Sequence, residues 1–261
     1  MSSNAVAVQL DEFGHDLAVD EIDALILNSI KKFIFRADFS EMQNSLENKG
    51  FAVLRGLLDA NLFAAVEAEC NALLNRHGKS RDFVMKQTAN TPRKMVNVKR
   101  DDIHKYGRVI PQIYHSEWVR SVFGMIARET FSTVPYTPEE YIVNALYKSG
   151  DTHGWHWDDY RYGIVFAIET PALENGGFVQ VVPNTHWNRA NPSVEENLFR
   201  NPIHSFRLEP GDAYILRSDT GLHRVHPITE GSKRVIVNMV WAAADELSKD
   251  VSHDTMEALF E

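Results

Sequence analysis

Residues 149–163, SGDTHGWHWDDYRYG, gather two histidines, two tryptophans and three aspartates between two segments that read as strands. No other stretch is so dense in groups that ligate metals or move protons. Within it His156-Trp157-Asp158 sets an imidazole and a carboxylate two residues apart. In extended backbone that spacing puts both on one side, where they can reach a single ion. Spacing alone is cheap in a chain with 11 histidines and 36 acidic residues. His115-Ser116-Glu117 shares it, yet the residues that follow repeat at helical spacing, and on a helix residues two apart diverge. That trio reads as a helix start with Ser116 as its cap.

The segment 211–241, GDAYILRSDTGLHRVHPITEGSKRVIVNMVW, supplies what the pair lacks. His223 ends a short strand and Arg234 opens another 11 residues later, so a hairpin is expected to bring both to one end of a barrel-like fold. Two histidines and a carboxylate on one face of an octahedral ion leave three positions open, the donor set of non-haem Fe(II) oxygenases. A guanidinium beside such an ion would grip a carboxylate co-substrate through two parallel hydrogen bonds. His226 is a rival ligand, but it precedes Pro227, whose ring restricts it and favours a turn. Strand parity places Arg234, Ile236, Asn238 and Val240 on one face and Val235, Val237, Met239 and Trp241 on the other. If Arg234 points inward, Asn238 does too.

The elements that must hold these residues show in the hydrophobic spacing. Residues 16–34 and 58–76 carry apolar side chains three and four apart, as amphipathic helices do, and 116–129 reads as a third helix. Residues 51–56 read as a short strand. From about residue 139 the texture changes to short Val-, Ile-, Tyr- and Phe-rich segments split by Gly, Pro, Asn and Asp: 141–148, 162–168, 177–182, 204–208, 213–217, 222–225 and 234–242. The pattern predicts an α+β fold, a sandwich or jelly roll with N-terminal helices packed on one face. There is no internal repeat and no linker, so a single domain is expected.

Composition narrows the partners. With a formal net charge of −9, a broad grip on phosphate backbones is not expected, so nucleic acid falls away. No apolar run is long enough for a membrane span, and the N-terminus lacks a basic region followed by an apolar stretch, so a cytoplasmic protein is expected. The single cysteine, Cys70, excludes a disulfide framework within the chain and any multi-cysteine zinc module. His15, His77 and His253 read as surface residues, and Trp155 and Trp157 as walls that keep water from the site. The oligomeric state stays open.

The order His-x-Asp, distal His, then Arg on the closing strand resembles the Fe(II)/2-oxoglutarate-dependent dioxygenases. GGFVQVVPNTHW, 176–187, is similar to that family's glycine-led strand and following turn, and GDAYILRSDTGLHRV to its approach to the distal ligand; the likeness covers about 139–242. It implies a double-stranded β-helix, the cupin-like jelly roll, in one domain spanning 1–261. Its parts would be a helical layer to about 138, a core over about 139–242 and a C-terminal helix over about 243–261. It also implies Fe(II) on His156, Asp158 and His223, with O2 and 2-oxoglutarate as co-substrates. Arg234 would anchor the 2-oxoglutarate, and Tyr147 would hydrogen-bond its carboxylate. Within the family the chain resembles the small enzymes acting on free amino acids, including lysine radical halogenases and their sister hydroxylases. Those surround the substrate amines with acidic groups and hold its carboxylate with Arg and His, a pattern matched by Glu139, Asp159 and Asn238 and by Arg93 and His153. Halogenases of this group carry a small residue where this sequence has Asp158, so hydroxylation of L-lysine or a similar cationic amino acid is implied. The same chemistry on a residue within a protein, or a non-catalytic metal-binding jelly roll, is the alternative.

Overall fold

The computed structural model describes residues 17–260. Helical spacing does what it predicts in α1 (Val19–Arg36), where Ile22, Ile26, Ile30 and Phe33 are buried along one stripe. Next come α2 (Phe39–Lys49), β1 (Phe51–Leu54), α3 (Ala60–His77), β2 (Lys79–Met85), β3 (Thr91–Val98), α4 (Arg100–Tyr106), α5 (Val109–His115) and α6 (Glu117–Ala127). Ser116 separates α5 from α6, but its side chain makes no capping bond. Its backbone N–H already closes α5 on the Ile113 carbonyl at 3.2 Å. His15 lies outside the described residues.

The strands continue with β4 (Phe131–Thr133), β5 (Tyr141–Leu146), β6 (Thr152–His153), β7 (Tyr162–Glu169) and β8 (Val179–Val182). After α7 (Val194–Arg200) come β9 (His204–Phe206), β10 (Ala213–Arg217), β11 (Leu222–Val225), β12 (Arg234–Ala243) and α8 (Asp254–Phe260). All strand pairings among the described residues are antiparallel. The larger sheet runs β1-β10-β7-β12-β5-β3-β2, with β4 on β12 and β6 on β3, and faces a smaller sheet ordered β11-β8-β9. This is the expected α+β jelly roll with helices on one face.

The region before residue 139 is more than a helical layer, since it contributes β1, β2, β3 and β4 to the larger sheet. Alternation sorts each strand's residues between two environments. Val143 and Ala145 of β5, Ile164 and Phe166 of β7, and Val235, Val237, Met239 and Trp241 of β12 join the helices in the main core. Their neighbours on the same strands face the smaller sheet and line a cavity. No helix among the described residues is long and apolar enough to cross a membrane.

Candidate active site

His156, Asp158 and His223 each offer one ligand atom, and the three atoms lie within 4.8 Å of one another. Asp158 Oδ1 is 3.5 Å from His156 Nε2, and its Oδ2 is 3.7 Å from His223 Nε2. The chain sets this up with backbone bonds: His156 and His223 exchange N–H to carbonyl bonds of 2.9 Å, and Asp158 N donates to the Ser218 carbonyl at 3.1 Å. Each histidine Nδ1 donates to the carbonyl two residues before it, Gly154 at 2.7 Å and Gly221 at 2.8 Å. A carbonyl only accepts, so the proton sits on Nδ1 and Nε2 keeps its lone pair for a metal. Burial pushes the pKa of both imidazoles down, which keeps them neutral as ligands must be. Gly163 leaves room for the carboxylate, since a Cβ there would stand 3.0 Å from Asp158 Oδ2. Two neutral imidazoles and one carboxylate, open on one side to a cavity, fit Fe(II).

The expected hairpin between His223 and Arg234 does not form. β11 lies in the smaller sheet and β12 in the larger, so the two residues reach one cavity from opposite walls. His226 stands outside the triad, stacked on Phe178 at 4.5 Å.

Two lobes of the cavity meet at the triad. The first is lined by Arg234, Tyr214, Ile236 and Leu146. Arg234 is buried, and its partner is the Tyr214 hydroxyl, whose pKa burial pushes up to about 12. Tyr147, expected here, lies elsewhere. The inward residues of β5 are Ile142, Asn144 and Leu146, so Tyr147 falls out of phase and is 36% exposed.

The second lobe is lined by Arg93, Glu139, His153, Asp159 and Asn238, with Ile142, Tyr160, Val240 and Leu259 between them. Arg93 is not on an exposed strand or loop. It faces inward from β3, 2% exposed, and among the described residues its guanidinium bonds only to Thr91, Thr88 and backbone carbonyls. Burial brings its pKa down to about 9, against the pull of Asp158. β6 sets His153 opposite Arg93, and its ring stacks on His156 at 3.9 Å. Glu139 is buried and bonded to His253 Nδ1 at 2.8 Å. Its pKa is pushed up to about 9 by burial, then by Asp159 and Asp158. Asp159 is committed elsewhere, paired with Arg189 and accepting from Thr255 Oγ1 at 2.6 Å. Trp157 lines this lobe, whereas Trp155 sits beneath Arg224 at 4.8 Å, away from either lining.

The sequence reading passed over four contributors. Tyr214 shares the inward face of β10 with Leu216, a parity visible in AYILR. Asn144 lines both lobes. Thr185 Oγ1 accepts from Trp157 Nε1 and from Leu222 N, both at 2.9 Å, so it ties the site loop to β11. His253, expected at the surface, stacks on Tyr136 at 3.8 Å and holds Glu139. Only tertiary contacts reveal the last two.

A family model described as Halogenase D matches residues 35–261. No curated protein matches the chain. Several solved structures share its fold. The epimerase SnoN from nogalamycin biosynthesis, in complex with Fe3+, alpha ketoglutarate and nogalamycin RO, aligns at a TM-score of 0.60 and 14% identity, over 79% of this chain and 84% of that one. AviO1 from Streptomyces viridochromogenes Tue57 aligns at 0.62 and 16%, over 78% and 95%. A prolyl hydroxylase from Trichoplax adhaerens, in complex with a hypoxia inducible factor peptide fragment, aligns at 0.58 and 13%, over 89% and 97%.

Proposed function

The chain belongs to the Halogenase D family, and from that premise we propose that it is an Fe(II)- and 2-oxoglutarate-dependent oxygenase that hydroxylates an aliphatic carbon of a free cationic amino acid, L-lysine first among them. The observation that carries the reading is the carboxylate in the triad. Asp158 reaches toward both histidines at the seam of the two lobes, so the three side chains would fill all three protein positions around an ion. A halide would need one of them. SnoN, of the same fold, holds iron and the keto acid, which supports the same pair here.

Iron held by His156, Asp158 and His223 supplies the oxidising power, with O2 and 2-oxoglutarate consumed, succinate and CO2 released and one oxygen atom entering the substrate. The chain's part is placement. Arg234 and the Tyr214 hydroxyl bind the far carboxylate of the keto acid. In the second lobe Arg93 has no carboxylate partner among the described residues, and with His153 it takes the substrate's α-carboxylate. Glu139 and Asn238 take the amine end, and Ile142, Val240 and Leu259 contact the methylenes between. Asp159 drops out as a direct amine acceptor because Arg189 and Thr255 already hold it. A lobe walled on its outer side by α8 suits a small molecule better than a residue within a protein.

The test is iron-loaded protein with 2-oxoglutarate, O2, chloride and an equimolar panel of free amino acids, read as succinate and as every mass change. One added oxygen on a cationic amino acid, lost in His223→Ala, supports the reading. Succinate without any amino-acid product would redirect the substrate to peptides, and a chlorinated product would overturn the role given to Asp158.

A further inference from the structure

Among the described residues, the charged side chains lining the second lobe are Arg93, Glu139, Asp158 and Asp159, while burial keeps His153 and His156 neutral. Asp158 is turned to the two histidines of the triad. Glu139 bonds to His253, whose pKa burial lowers, so that partner brings no positive charge. Arg93 bonds to hydroxyls and carbonyls. Arg93 and Glu139 are therefore the two groups left to meet charges on an occupant. One carboxylate and one ammonium, the pair that every free α-amino acid carries, match them. A second ammonium, the mark of a cationic side chain, has Asp159 as its remaining anion.

Asp159 is met from behind the lobe wall. Arg189 lies in the connection 183–193 between β8 and α7 and is not part of the lining. One of its terminal nitrogens pairs with Asp159, whose side chain is 3% exposed, and the other pairs with Asp254 at 2.6 Å. The Trp187 ring backs the guanidinium at 3.8 Å, and Thr255 Oγ1 donates to the second Asp159 oxygen at 2.6 Å. The pair is felt across the lobe, since Asp159 raises the pKa of Glu139 and Arg189 lowers it. We infer that Arg189 is a specificity-determining residue, whose positive charge on Asp159 limits how strongly the lobe prefers a cationic side chain to a neutral one. Without that charge Asp159 becomes a second buried anion at the wall, and a side-chain ammonium is the group that answers it. The inference rests on the amino-acid reading above.

The experiment is anaerobic calorimetry of the full-length, Fe(II)-loaded protein with 2-oxoglutarate, titrated with L-lysine and with L-norleucine, which is lysine without its terminal ammonium. Arg189→Gln removes one unit charge beside a partly solvated lobe and raises the lysine-to-norleucine affinity ratio by about tenfold. Arg189→Lys keeps the charge and stays near the parent ratio. Asp159→Asn combined with Arg189→Gln removes both charges and returns the ratio to the parent level. Asp254→Asn loosens the same tie to α8 while leaving Asp159 paired, and the ratio does not move. A contact that only holds α8 in place would weaken both amino acids alike, so an unchanged ratio in Arg189→Gln overturns the inference. Should that variant not fold, Arg189→Met, which keeps an unbranched stem against Trp187, reads the same ratio. A parent protein that binds neither amino acid overturns the amino-acid reading itself, and the inference falls with it.

Discussion

Asp158 and Glu139 are both carboxylates of the second lobe, and their surroundings give them different work. Asp158 lies between two neutral imidazoles and is half-buried, ready to ligate a cation. Replacing it with glycine removes a ligand outright, so hydroxylation should fall by more than the roughly 10- to 100-fold that losing an outer partner of a ligand costs. The vacated side should admit chloride, and mass spectrometry of the products with and without chloride decides this. Glu139 is held near pKa 9 by burial, by Asp159 and by Asp158, and so is protonated at neutral pH when the lobe is empty. A cationic amine binds its ionised form, so binding expels a proton. Affinity should rise with pH, by up to about tenfold per unit, until about pH 9, and then fall as a lysine amine loses its own proton near 10.4. Calorimetry in buffers of different ionisation heat measures the released proton directly. Glu139→Gln should bind weakly and with little pH dependence, and a flat profile in the parent protein would contradict the assignment.

At the scale of elements, the site depends on ties between segments far apart in sequence. Thr185 is the clearest, because one hydroxyl oxygen serves the Trp157 indole and the start of β11. Thr185→Val keeps the shape and strands two buried donors, each worth about 1–3 kcal/mol. Urea unfolding should show a loss of a few kcal/mol, and the His223 ligand should become less well placed, with weaker metal binding. α8 is tied in the same manner, by Thr255 to Asp159, Arg189 to Asp254 and His253 to Glu139. Thr255→Ala should therefore raise the KM for the amino acid several-fold while leaving the KM for 2-oxoglutarate alone, since only the second lobe touches that helix.

These ties also mark how far the sequence could be read. The triad spacing, the inward parity of Arg234 with Asn238 and the strand-rich texture after residue 139 are local, and each reappears in the structure. Tyr214 was missed because choosing the tyrosine that meets Arg234 requires knowing that β7 lies between β10 and β12. β2 alternates in burial from Ser80 to Met85, but at the sheet edge only Met85 is fully buried, so the types in KSRDFVM do not alternate with it. α5 is one short helix whose leading N–H groups are received by Glu69 of α3, with Val109 N at 2.8 Å, a support that no local pattern announces. His253 is separated from Glu139 by more than a hundred residues and carries no periodic signal.

At the scale of the whole molecule, the candidate metal site joins both sheets. His223 comes from the smaller sheet, while the loop carrying His156 and Asp158 runs between β6 and β7 of the larger. Strands from the region before residue 139 are paired into that larger sheet, β3 directly against β5. Opening any one part therefore opens the others, and we propose that residues 17–260 unfold as one unit. Tryptophan fluorescence and far-UV circular dichroism should then give coincident urea transitions, whereas an early transition in one probe alone would show a separable N-terminal layer. Because His223 belongs to one sheet and His156 and Asp158 to a loop of the other, an ion held by all three would stabilise the entire unit. At a hundredfold excess over Kd the gain is about 2.7 kcal/mol, which for a chain of this size corresponds to a rise in Tm of about 5–10 °C. Fe(II) under anaerobic conditions should produce that rise, a chelator should reverse it, and His223→Ala should melt at one temperature with or without metal. A metal-independent Tm in the parent protein would mean that the three side chains do not act together as a binding site.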